Sequence, residues 1–163
     1  LSVEMGFSES ALYRHFQSKE DIIVLLLQHL QDNMRERLGA IAHGQETPLT
    51  KLSAIFGSQF AYISRNPHFL IAVLSDGLFG ESQKIHDAVL GITGFLLPLL
   101  TGLVSEAQLV GELSADVAAA DAVHILVGSF RVMLLKWRLS NFAFDLPAEG
   151  TRVMNVNFKL LAP

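Results

Sequence analysis

Apolar residues recur three and four positions apart along almost the whole of this 163-residue chain. No sustained apolar–polar alternation bounded by turns appears, so the expected fold class is all-α. The punctuation agrees. Ser18-Lys19-Glu20-Asp21 matches a capping box, and a long helix is expected over about 19–38, with Gly39 and Gly44 bracketing its end. Thr47-Pro48 opens the next helix, to about Ser64, with proline in the first turn where its missing N–H costs nothing. Asn66-Pro67 starts a shorter one ending near Gly77–Gly80. Further helices are expected over Glu81–Thr101, bent at Pro98, from a Ser114 cap to about Ser140, and from Pro147 to about Leu161. Gly102–Leu113 and Asn141–Leu146 read as connections.

Half of the residues are apolar and 17% are charged. A chain this oily is expected to bury apolar surface beyond a monomer core, against a partner subunit or a ligand. There are no cysteines, which excludes a disulfide framework and thiolate metal sites. The six histidines show no metal-ligand spacing, no glycine-rich phosphate loop is present, and no nucleophile–base set stands out. The expectation is therefore no enzyme, no metal and no cofactor. The most membrane-like run, Ala88–Val104, is interrupted by Pro98 and three glycines. It reads as a buried core helix rather than a membrane span. No secretory leader is read at the start, and a cytoplasmic location is expected.

The stretch "GFSESALYRHFQSKEDI", from Gly6 to Ile22, is punctuated far more closely than the rest. Leu1–Met5 reads as the end of a helix that Gly6 stops. Ser8 caps a short helix over Glu9–His15. So short a helix must pack on its neighbours to persist, and Leu12 and Phe16 give it an apolar face. The other face carries Glu9, Ser10, Tyr13 and Arg14. A short helix with its apolar side held and its polar N-terminal end presented is what a DNA major groove admits. The net charge of −4 is not that of a typical nucleic-acid binder. Locally, though, Ser10–Lys19 holds two basic residues, one histidine and no acid.

This stretch resembles the signature of the TetR family of bacterial one-component transcription regulators, close to G-[VF]-S-x-x-[TAS]-[LI]-Y-x-[HY]-F-x-[SN]-K-x-[DE]. The resemblance implies that the short helix is a recognition helix. Glu9, Ser10 and Ala11 would face base edges, Tyr13, Arg14 and His15 would contact the DNA backbone or nearby bases, and Lys19 would clamp a phosphate. It implies residues 1–40 as a truncated helix-turn-helix module with its connecting helix, and 46–163 as a ligand-binding and dimerisation body. It also implies that part of the reading module precedes residue 1. The partners implied are palindromic double-stranded DNA, a small hydrophobic or amphipathic effector and a second copy of the chain, with no membrane.

Within the body, Phe60, Phe69, Phe79 and Phe95 are the aromatic candidates for a ligand pocket, with His124 and Arg131 as polar groups set inside apolar runs. Ala115–Ser140 is apolar nearly all round, so a partner is expected to cover the side the monomer does not. Val123, Val127, Phe130 and Leu134, with Val153, Met154 and Phe158 of the last helix, are expected in a four-helix dimer interface. Two functional readings follow. One is a ligand-responsive DNA-binding regulator, released as a repressor from a palindromic operator by an effector. The alternative is a helical small-molecule-binding or protein-interaction module without DNA binding.

Overall fold

The computed structural model describes residues 18–74 and 82–163. Every regular element in them is a helix: α1 Lys19–Ala42, α2 Pro48–Arg65, α3 Phe69–Leu74, α4 Gln83–Leu109, α5 Ala119–Leu139 and α6 Leu146–Leu160. The expected short helix over Glu9–His15 and its flanking turns lie outside the described residues.

The capping signals act as read. The Ser18 hydroxyl oxygen accepts from the Asp21 amide at 3.1 Å, and the hydroxyl donates to the Asp21 carboxylate at 2.9 Å. Thr47 caps α2 ahead of Pro48, and α6 has Pro147 in its first turn as expected, with Asp145, which falls in the expected connection, as its cap. Three boundaries differ from expectation. First, α1 runs through Gly39 to Ala42, because Leu38 and half-buried Ile41 keep its apolar face on the core. Second, α4 continues through Pro98 and Gly102 to Leu109. A helical glycine costs about 1 kcal/mol, and burial of Leu100, Leu103, Val104 and Ala107 on one stripe outweighs it. The glycine that does stop α4 is Gly111, at φ +76°, with the Glu112 amide donating back to the Ala107 carbonyl at 2.8 Å. Third, Ser114 does not cap α5. Its hydroxyl accepts from the Asp116 amide and closes a local turn, and α5 begins at Ala119 with no side-chain cap.

One core joins all six helices. The tightest layers are α2 on α6 and α1 on α4, with α5 completing the body against α4 and α6. Aromatics bridge α2 to α5 and α6: Phe60 lies 4.8 Å from Phe130 between ring centroids, and Phe56 lies 5.9 Å from Phe130 and 6.5 Å from Phe158. The N-terminal ends of α1 and α4 are tied together. The Ser82 hydroxyl donates to Glu20, and Lys84 meets Asp21 at 3.3 Å. Hydrogen bonds from Ser18 and Lys84 hold the Asp21 carboxyl below its ordinary range.

Among the described residues α4 alone is long and apolar enough to cross a membrane by length and composition. It packs against α1, α2 and α5. It is less enclosed than a core helix is expected to be, with 17% of its most apolar window buried. Leu90, Gly94 and Pro98 form an exposed stripe on it, and Val89, Ile92, Leu96 and Leu97 are half-buried along the wall of a cleft.

Candidate functional site

The cleft lies where α1, α2, α4 and α5 fail to close completely. It is a cavity of about 140 Å³ with an open side. α1 gives it Leu27, Leu30 and Met34, spaced three and four apart on one face. α2 gives Gln59 and Ile63, and α4 gives Val89, Ile92, Thr93, Leu96 and Leu97. α5 completes the wall with Val127, Phe130, Arg131 and Leu134. This is the usual make-up of a small-molecule site: apolar walls with a few placed polar groups.

Of the five described residues expected to bind a ligand, Arg131 alone lines the cleft. Phe60 is fully buried behind the wall, against Phe130. Phe69 is buried among His29, Tyr62 and His68. Phe95 lies under the Arg35 guanidinium at 4.9 Å, and His124 is exposed away from the cleft. Phe79 is outside the described residues. The residues that sequence reasoning missed are mostly aliphatic ones indistinguishable from core by spacing, together with Phe130, Thr93 and Gln59. Gln59 is the buried polar residue among the described ones, and beside Gly57 and Ser58 nothing in the sequence marks it out.

Several residues expected at the dimer interface serve the packing of the single chain. Val123, Leu134, Met154 and Phe158 are buried within the single chain, and Val127 and Phe130 face the cleft. Val153 is half-buried against the core. Both faces of α5 are apolar, so periodicity could not say which turns inward. The outward face carries Ile125, Val132, Leu135 and Leu139, and α6 adds Val156 and Leu160.

Behind the cleft, Gln59 is held by Arg37 of α1. The Arg37 guanidinium donates to the Gln59 amide oxygen, to the Ser58 hydroxyl and, at 3.1 Å, to Asn33, and it stacks 4.9 Å over the Tyr62 ring. Among the described residues these partners are all neutral. Burial pulls the Arg37 pKa below its ordinary value and pushes that of Tyr62 up. An arginine nevertheless stays protonated in proteins. The clamp therefore ties α1 to α2 through a charge that meets no counter-ion among the described residues. Arg37→Met should leave the Gln59 oxygen without its donor and cost about 1–3 kcal/mol, read as a shift of the urea midpoint at constant slope. An unchanged midpoint would mean that water replaces the clamp at no cost.

The DNA-contact candidates Glu9, Ser10, Ala11, Tyr13, Arg14 and His15 lie outside the described residues. Lys19 is the first residue of α1. No cluster of three or more His, Cys, Asp or Glu able to hold a metal occurs among the described residues.

No family model matches the chain. In sequence it is similar to curated nucleoid occlusion factors named SlmA. It is 27% identical over 109 residues to that of Shewanella amazonensis, covering 67% of this chain and 55% of the relative. It is 31% identical over 85 residues to that of Idiomarina loihiensis, covering 52% and 43%. The chain thus spans about half the length of the curated relatives it matches. In fold it is similar to the transcriptional regulator FadR of Bacillus subtilis, solved with stearoyl-CoA. That likeness has a TM-score of 0.75 at 20% identity, over 99% of this chain and 84% of that one. The fatty acid degradation regulator FadR of Bacillus halodurans gives 0.74 at 18%, over 96% and 84%. The fold is that of these helical regulators.

Proposed function

We propose that this chain is the larger part of a cytoplasmic, homodimeric transcriptional regulator of the TetR type. It acts as a repressor, released from a palindromic operator by a small apolar or amphipathic effector. The observation that carries the reading is that α1, which directly follows the recognition-like stretch, also forms one wall of the cleft. A ligand seated there touches the helix that leads to the reading head. The Arg37 clamp supplies a second tie, since Gln59 belongs to both clamp and cleft. The effector acts by binding one tilt of α1 better than another, because only a difference in affinity between two states shifts their populations. The fold shared with solved regulators and the similarity to nucleoid occlusion factors support the same reading.

Residues 1–40 serve as the DNA-reading module and 46–163 as the sensor and dimer body. Glu9, Ser10 and Ala11 read bases, while Tyr13, Arg14, His15 and Lys19 hold the backbone. The test is selection of random duplexes on the complete protein, with affinities at two salt concentrations. A palindromic winner with salt-steep binding is expected. Lys19→Ala should weaken all sequences alike and lower the salt slope by about 1, and Tyr13→Ala should weaken binding without unfolding the protein. Unchanged affinity in both variants would remove this helix from the DNA. The second reading, a helical ligand or interaction module without DNA binding, is favoured by the net charge of −4. It predicts no enrichment of any duplex.

A further inference from the structure

We propose that the cleft takes a small apolar monocarboxylate, with a ring or short aliphatic chain between α1 and α4 and its carboxylate on Arg131. The proposal rests on the reading of the cleft as a ligand site and is independent of DNA recognition. Size sets the body of the ligand. A cavity of about 140 Å³ is close to the roughly 150 Å³ of an engineered aliphatic cavity, in another protein, that holds benzene. A benzoate-sized ring or a chain of a few methylenes fits; a long acyl chain exceeds the enclosed part.

Charge sets the head group. Arg131 is the one charged residue lining the cleft among the described residues. It makes no ion pair with any of them, since those present join Lys84 to Asp21 and Arg152 to Glu149. A guanidinium on an apolar wall that meets no carboxylate among the described residues can receive one from outside in bidentate fashion.

Hydrogen-bond direction agrees. A guanidinium has donors only, so the bond from Arg37 fixes the Gln59 amide with its oxygen turned to the clamp. The amide nitrogen, a donor, is left for the cleft. Arg131 and Gln59 therefore both offer donors, and an ionised carboxylate is acceptor-only.

Isothermal titration of the full chain with benzoate, octanoate and their primary amides tests this. The acids should bind about tenfold to a hundredfold more tightly than the amides. Arg131→Gln, at an exposed position, should erase that difference. Equal affinity for acid and amide in the unaltered protein overturns the carboxylate assignment but leaves the cleft a ligand site. Absence of binding by all four overturns both. Val127→Trp, which fills the cleft, should abolish binding; retention in that variant, if it folds, places the ligand elsewhere and overturns the proposal. The acid–amide comparison decides the matter without any variant.

Discussion

Phe60→Ala should destabilise the body by about 3–5 kcal/mol, the range for removing a buried aromatic ring. Phe60 is fully buried, and its ring fills the space between α2, Phe130 of α5 and Gly150 of α6. A Cβ built on Gly150 would come within 2.6 Å of that ring. Glycine is thus required there for helix approach, in a helix whose backbone is otherwise ordinary. Gly150→Ala should cost about 1–3 kcal/mol by overpacking. Phe60→Leu, which shortens the obstructing ring, should recover part of that loss in the double variant. The measurement is a double-mutant cycle by denaturant unfolding. Strictly additive losses would mean that the α2–α6 layer adjusts by sliding and that the contact sets no spacing.

Leu134→Glu and Leu135→Glu, one residue apart, should fail in different ways. Leu134 is fully buried within the chain, whereas Leu135 is 46% exposed on the outward stripe of α5. A charge at 134 is taken fully out of water and should unfold the body. A charge at 135 leaves the monomer intact, and in a dimer formed through the outward stripe of α5 and α6 it is buried twice across the two-fold axis. Each buried ion costs several kcal/mol, so dimer affinity should fall by about a thousandfold or more. Sedimentation velocity across a concentration series, with helicity measured in parallel, separates the outcomes. Dimers that persist in Leu135→Glu would move the interface off Ile125, Val132, Leu139, Val156 and Leu160.

The helices were largely legible because their starts carry local chemistry. Ser18, Thr47-Pro48 and Pro147 each fix a start by hydrogen bonding or by a preset φ, and the structure follows them. What failed to read was decided by tertiary burial. Gly102 looks like a stop until Leu103, Val104 and Ala107 are seen to continue the buried stripe. Ser114 looks like a cap, but its hydroxyl serves the Asp116 amide instead. Face assignment was the weakest point. On α5, residues 134 and 135 are both leucine, and only their packing tells core from surface. The cleft was illegible for a related reason. Its walls are aliphatic residues of ordinary core type, and a void between them leaves no mark on spacing. The aromatics, more conspicuous in the sequence, mostly went to the core, where large rings bury the most area.

α1 behaves mechanically as a rigid arm. It is unbroken over 24 residues, and the stretch from Arg37 back to Lys19 spans about 27 Å at 1.5 Å per residue. A rotation of about 5° around the Arg37 clamp therefore carries the Lys19 end through roughly 2 Å. That end is not free to swing alone, because Glu20 and Asp21 are fastened to Ser82 and Lys84. Any such stroke must either drag the start of α4 with it or break both links. α1 and α4 are geared to each other, and the cleft lies between the gears.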